Sequence, residues 1–316
     1  MIDSKIISII VPCCNEEDNV LNFYREVTNV LHSLNFDYEI IFIDDGSTDN
    51  TNNILIALSN EDKKHIKYIS FTRNFGKEAA MYAGLKYSKG DLVTIMDADL
   101  QHPPKLLPTM IEILENSNYD NVSTMCKKYS NDQKLYGFLV KIFYGIMNKI
   151  SDVNIVYGAK DFCLMRRNMV DAVLKLCEYE RFSKGIFQWV GYKTYWLECE
   201  HIKRIHGKSK WCLKNLLKYA LSGISDFSVK PLFLSLFLGL LMTTLPFLLI
   251  LLCVIKSLFF HMVINSTIFI VLVLLFVGGI ELLCVGILSY YVAKIFKEVK
   301  NRPNYIIKES NLIYDK

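Results

Sequence analysis

No C-x-x-C pair and no Cys/His cluster at zinc spacing occurs among the nine cysteines of this 316-residue chain. A structural zinc site is therefore not expected, and the thiols read as reduced side chains in cores and helices of a cytosolic protein. A secretory signal is missing as well. The first apolar run, Ile6–Val11, is short and leads into Asn15-Glu16-Glu17-Asp18, so the first ~200 residues are expected to remain in the cytosol. There are no repeats and no low-complexity tracts. Charge is absent from one long stretch: residues 231–255 carry none, and residues 266–293 carry only Glu281.

Those two runs point to a membrane. A helix over residues 231–255 is about 37 Å long at ~1.5 Å per residue, enough to cross a ~30 Å hydrocarbon layer with some tilt. A core helix of that length would be expected to show a polar face. Lys203, Arg204, Lys208, Lys210, Lys214, Lys218 and Lys230 precede the first run. Lys294, Lys297, Lys300, Arg302 and Lys308 follow the second, and only Lys256 lies between. The positive-inside rule then places both flanks in the cytosol and makes the two helices a hairpin. Basic flanks suit anionic lipid headgroups. Residues 211–227 carry apolar side chains at helical spacing, with lysines opposite, as a helix in the membrane interface would. Glu281 would cost ~2.5–3.5 kcal/mol on insertion scales. It suggests pairing across helices or protonation, and Gly278, Gly279 and Gly286 beside it allow close packing. A homo-oligomer is expected, with a tetramer as one form. The net charge of +4 gives no reason to expect nucleic acid as a partner.

The first 125 residues alternate apolar runs with helical patterns. "KIISIIVP" reads as a buried strand ending at Pro12, followed by a helix from about Glu17 to Leu34. "YEIIFID", "IKYISF", "DLVTIMD" and "YDNVSTM" read as further strands, with helices opening after "DDGSTDNT" and at about Lys77. This is the pattern of a mostly parallel, helix-covered α/β sheet. Ligands of such sheets bind beyond the carboxyl ends of the strands. Four polar clusters, residues 12–16, 44–49, 73–77 and 97–101, all lie at such ends.

The last cluster is the most telling. In "TIMDADLQHPP" an apolar strand stops at Asp97, Asp99 follows, and two prolines forbid continuation. One acid would suffice as a helix cap, and an acid–base pair would be expected in two distinct environments. Two adjacent carboxylates suit a hard cation such as Mg²⁺ or Mn²⁺, which takes oxygen ligands and shares them with substrate phosphates.

"VPCCNEE", "DDGSTDNT", "FTRNFGKEAAM", "MDADLQHPP", "GAKDFCLM" and "RFSKGIFQWVG" occur in order. Together they resemble family 2 glycosyltransferases of the polyprenyl-phosphate type, which include bactoprenol glucosyltransferases and dolichyl-phosphate mannose synthases. "GKSKW", the hairpin and "VKNRPNYI" extend the resemblance almost end to end. It implies a GT-A (Rossmann-like) fold and inverting transfer from a nucleotide sugar, UDP-glucose first among them, to a polyprenyl phosphate such as undecaprenyl phosphate. It implies a place in the bacterial inner membrane with the catalytic domain and both termini cytosolic. It assigns Pro12, Glu16, Asp45, Lys77 and Asp97 to the nucleotide, and Asp97, Asp99 and Gln101 to the metal. Asp99 and Asp161 fall in catalytic positions. Asp161 is either a base or an orienting group, since a phosphomonoester with its second pKa near ~6 is already nucleophilic at neutral pH. Lys127, Lys128, Arg181, Lys184 and Lys208 are the candidate cations for the acceptor phosphate. Related sequences commonly carry Arg at the position of Cys163, and another near Cys126. Two alternatives stay open: another lipid or polysaccharide acceptor and, motivated by that departure, a non-catalytic membrane scaffold. The expected domains are a glycosyltransferase domain over 1–210, juxtamembrane helices over 211–230, two spans over 231–293 (about 231–255 and 266–293), and a cytosolic tail over 294–316.

Overall fold

The computed structural model describes residues 5–34, 36–125, 156, 158–179, 181–199 and 266–312. Contacts divide the chain into two units. The N-terminal residues and residues 303–312 belong to one, and residues 266–302 to the other.

The first unit is built on one eight-stranded sheet. Its strands in chain order are β1 (Ile6–Cys13), β2 (Asp37–Asp44), β3 (Ile66–Phe71), β4 (Leu92–Ile95), β5 (Asn121–Met125), β6 (Ala159–Arg166), β7 (Thr194–Glu198) and β8 (Ile307–Ser310). Their spatial order is β7-β5-β6-β4-β1-β2-β3-β8. The four N-terminal strands are parallel to one another, while β6 and β8 run antiparallel to their neighbours. The sheet is therefore mostly parallel, as expected.

β1 lies at the centre. Its residues Ile7, Ile9, Ile10 and Val11 are wholly buried, because a parallel strand covered on both faces cannot alternate apolar with polar. The helices are α1 (Val20–Leu31), α2 (Thr51–Glu61), α3 (Lys77–Tyr87), α4 (Leu107–Glu115), α5 (Arg167–Leu174) and α6 (Ser183–Trp189). α1 buries Val20, Phe23, Val27 and Leu31, a single stripe at helical spacing. α3 instead packs through small residues, Ala79, Ala80, Ala83 and Gly84. A Cβ on Gly84 would lie 2.1 Å from Cγ2 of Ile10, so the helix approaches β1 as closely as its lack of a side chain permits.

α1 begins three residues later than the sequence pattern suggests. Residues 15–17 spend their polar groups on the β2–α2 loop instead. The Glu16 amide donates to Thr51 Oγ1 at 2.9 Å, Asn15 Oδ1 accepts from the Thr48 amide at 2.8 Å, and Glu17 accepts from the Asn50 amide. The expected capping of α2 falls to Asp49, whose carboxylate accepts from the amide and hydroxyl of Thr51.

Residues 307–310, assigned to a tail by sequence, form β8 on the edge of β3. The Asn311 side chain accepts from the Tyr68 amide and donates to the Ile66 carbonyl. Tyr305 stacks on Phe71 with ring centroids 4.9 Å apart.

The second unit contains α7 (Ser266–Val299), 34 residues long. It stops at Asn301, which takes a positive φ of 47° ahead of Pro303, a common way to end a helix. Ile270, Leu274, Val285, Leu288, Val292 and Ile295 are each more than half exposed. Among the described residues no helix is long and apolar enough to cross a membrane. Many side chains of α7 between 266 and 283 lie outside the described residues, as does the whole of the first expected span, 231–255.

Candidate active site

β4, β1, β2 and β3 are adjacent and parallel, so their carboxyl ends open on one edge. The four polar clusters therefore meet there, and backbone geometry holds them close. Gly46 sits after β2 with φ +63°, and a Cβ on it would lie 2.4 Å from the carbonyl carbon of Arg73. Only glycine lets the β2 and β3 loops touch in this way. Asp45 uses that contact. Its carboxylate accepts from the amides of Phe75 at 2.6 Å and Gly76 at 2.9 Å. Burial pushes the Asp45 carboxyl up, and these two amides pull it back. Asp44 turns the other way, accepting from Ser70 Oγ and the Ser47 amide. Pro12 and Glu16 lie at the end of β1, half-buried, and Glu16 accepts from the Asn19 side chain at 2.7 Å.

The turn after β4 is the most constrained. Asp97 is half-buried and Asp99 is buried. Leu100 takes a φ of +56°, a conformation that costs a bulky residue on the order of 1–3 kcal/mol and tends to mark functional turns. His102 lies buried beneath, stacked on Phe162 at 5.3 Å, with Nδ1 accepting from the Asp97 amide at 3.4 Å. Burial holds its imidazole below the usual range, consistent with that acceptor role. The Gln101 amide donates to Asp99 Oδ1.

Lys77, the first residue of α3, links this turn to β6. Its ammonium lies 2.7 Å from Asp97 Oδ1 and 2.7 Å from Asp161 Oδ2. Lys184, on α6, adds a second cation 3.8 Å from Asp161 Oδ1. Burial opposes the charge of Asp161, but Lys77 and then Lys184 hold its carboxyl well below the usual carboxylate range. Burial is likewise overcome at Asp97, chiefly by Lys77. Burial opposes the Lys77 charge as well, but Asp161 and Asp97 hold its ammonium above its ordinary value. Three sequence segments, 77, 97 and 161, thus meet at one ammonium.

Not every expected residue is found at this centre. Arg181 is only 8% exposed. Its guanidinium donates to the Leu176 carbonyl and lies over the Tyr82 ring at 4.5 Å. That binding holds the segment before α6. Lys127, Lys128 and Lys208 lie outside the described residues, as does Cys126. Cys163 is 1% exposed and paired in register with Ile95 and Ser123. It is a core side chain two residues along β6 from Asp161, and burial pushes its thiol up. Sequence reasoning missed Glu78, which accepts from the amide and hydroxyl of Ser183. It also missed His102. Both stand inside the quoted motifs, but nothing in a linear sequence tells which neighbour of Lys77 or Asp97 reaches a third element.

The model of the family described as "Glycosyl transferase family 2" matches residues 8–174, from β1 through α5. The chain belongs to glycosyl transferase family 2. This glycosyltransferase is 38% identical over 305 residues to the SfII prophage-derived bactoprenol glucosyl transferase of Shigella flexneri, covering 96% of this chain and 98% of that one. It is 36% identical over 302 residues to the prophage bactoprenol glucosyl transferase homolog of Escherichia coli K12, with the same coverage. The solved glucosyl-3-phosphoglycerate synthase of Mycobacterium tuberculosis is similar at 18% identity over 70% of this chain and 78% of that one, with a TM-score of 0.48. That likeness is too distant to speak for the site of this glycosyltransferase.

Proposed function

We propose that this glycosyltransferase moves glucose from UDP-glucose to a polyprenyl phosphate, undecaprenyl phosphate by chemistry and kin, with inversion. The relatives named for bactoprenol glucosyl transfer support the acceptor and sugar. The observation that carries the reading is the meeting of Lys77, Asp97, Asp161 and Lys184 at the carboxyl edge of the parallel strands.

Pro12, Glu16 and Asp45 line the loops that would hold the nucleotide. Asp97, Asp99 and Gln101 offer only hard oxygen donors from one turn. Among the described residues no group of three or more His, Cys, Asp or Glu converges on a point. A complete protein cage is therefore not what this turn offers. It fits an ion that keeps places for substrate oxygens, as Mg²⁺ does and Mn²⁺ resembles. When bound, such an ion would supply charge stabilisation to the leaving nucleoside diphosphate.

Asp161 is held ionised between two lysines, so it is a poor proton acceptor at neutral pH. Its role in this reading is to orient. The acceptor phosphate, largely a dianion above its second pKa of ~6, attacks without a base. Lys184 draws that phosphate in, since two anions must approach each other. Lys127, Lys128 and Lys208 are further cations for it. The lipid tail of the acceptor stays in the bilayer. The apolar runs 231–255 and 266–293, with their basic flanks, therefore belong to this proposal as a multi-pass anchor in the inner membrane, and the small residues beside Glu281 as an oligomer contact.

The test is transfer of label from a panel of nucleotide sugars to undecaprenyl phosphate, with Mg²⁺, with Mn²⁺ and with chelator. Labelled lipid from UDP-glucose that vanishes with chelator is expected. No labelled lipid from any donor, with folded protein, would overturn the proposal in favour of another acceptor or a non-catalytic role.

A further inference from the structure

Lys77 and Glu78 are consecutive at the start of α3, yet they reach different elements. Lys77 turns to Asp97 and Asp161. Glu78 turns to α6, where its Oε2 accepts from the Ser183 amide at 3.1 Å and from the Ser183 hydroxyl. Ser183 is the first residue of α6, and the residue before it, Phe182, has no side-chain oxygen to cap the helix. The first amides of any helix lack partners within it, and a carboxylate there also meets the positive end of the helix dipole. Glu78 thus supplies, from 105 residues away, the cap that α6 lacks. The next residue along α6 is Lys184, whose ammonium lies 3.8 Å from Asp161.

We infer that Glu78 is a positioning residue that fixes the start of α6 and so holds Lys184 at Asp161, where it meets the acceptor phosphate. The inference rests on the reading of Lys184 given under the proposed function. Arg181 anchors the same segment as well, through the Leu176 carbonyl and the Tyr82 ring. Between them Glu78 and Arg181 fasten residues 181–183 to α3 and to the end of α5. The acceptor role of Glu78 needs an oxygen, not a charge. Burial, and then Asp161, push its carboxyl up to about 7, while Ser183 and Arg181 pull it back, so the neutral form is well populated at neutral pH. Glutamine keeps the oxygen, and alanine does not.

The experiment compares Glu78→Ala, Glu78→Gln, Ser183→Ala, Lys184→Ala and the Glu78→Ala/Lys184→Ala double variant in the full-length enzyme. It reads KM for undecaprenyl phosphate, kcat, and Kd for UDP-glucose. Glu78→Ala is expected to raise acceptor KM about 10-fold or more, the scale of one lost charge-assisted contact, with donor Kd unchanged. Glu78→Gln should stay within about 3-fold of wild type, and the double variant should be no worse than Lys184→Ala. If Glu78→Ala does not fold, Ser183→Ala is expected to raise acceptor KM about 3-fold by the same route, the scale of one neutral hydrogen bond. An equal loss in Glu78→Gln and Glu78→Ala would overturn the inference. So would a lower kcat at unchanged KM values, an effect additive with Lys184→Ala, or a Ser183→Ala enzyme with wild-type acceptor KM. Lys184→Ala separates the two levels. If it leaves acceptor KM unchanged, the reading of Lys184 fails and the inference falls with it. If it raises acceptor KM while Glu78→Ala does not, only the positioning role fails.

Discussion

Replacing Lys77 with methionine would leave Asp97 and Asp161 facing each other without their shared cation. Methionine keeps the length and apolar stem of lysine, so the change is mainly one of charge. The size of the effect follows from exposure. Exposed ion pairs contribute ~0.2–1 kcal/mol, and removing one partner of a fully buried pair costs ~3–5 kcal/mol. The Lys77 side chain is 40% exposed and its partners 26% and 23%, between those limits. A loss of about 1–3 kcal/mol is expected. In a domain of roughly 150–250 residues each kcal/mol lowers Tm by ~2–4 °C, so Lys77→Met should melt about 2–12 °C lower at pH 7.

The pH dependence gives the sharper check. Asp97 and Asp161 are held below the ordinary carboxylate range in the folded protein. Their contribution is present above the unfolded carboxylate pKa of ~3.9 and is lost as pH falls through their folded values. Lys77→Met removes most of it. The gap in Tm between wild type and variant should therefore be widest near neutral pH and should narrow as the buffer is acidified below pH ~4. Adding Asp161→Asn to Lys77→Met should recover part of the loss, because the uncompensated charge is gone. A Tm gap that is absent, independent of pH, or widened by the second substitution would refute the electrostatic account of this centre.

Asp99→Ala is expected to abolish metal-dependent transfer without lowering Tm by more than a few degrees; full turnover with added metal would refute the metal assignment. Gly46→Ala forces a Cβ into the left-handed region, at ~1–2 kcal/mol, and against the Arg73 backbone. A stability loss of about 2–4 kcal/mol in denaturant unfolding is expected once overpacking is added, together with weaker UDP-glucose binding as the loop around Asp45 shifts. Unchanged stability would show that the β2 and β3 loops part easily. Glu281→Gln should leave turnover per folded chain intact and change the oligomer distribution by light scattering. Lost turnover with unchanged assembly would contradict the assembly role.

The N-terminal strands were readable in advance because each is a local property. A strand buried on both faces must be mostly apolar, with its few polar side chains paired, as Ser8 and Glu39 are to each other, and the residues that end it must be polar, turn-forming or proline. Ile6–Cys13, Asp37–Asp44 and Ile66–Phe71 show this within a residue or two of the expected bounds. The D-x-D turn was legible for the same reason: two acids and two prolines directly after an apolar run leave few structural explanations.

What the sequence could not reveal are pairings whose partners lie far apart along it. "GAKDFCLM" carries a motif, but its place as an antiparallel strand between β4 and β5 depends on sheet closure. Residues 307–310 have no strand pattern of their own and become β8 because β3 offers an unpaired edge. Lys77 reaches Asp161 across 84 residues and Glu78 reaches Ser183 across 105. The composition of each strand end is a local matter, since sterics and burial act on chain neighbours. Which strand ends share a cation, and which lysine is held at Asp161, emerges with the folded sheet, because Coulomb attraction and hydrogen bonding act on distance in space.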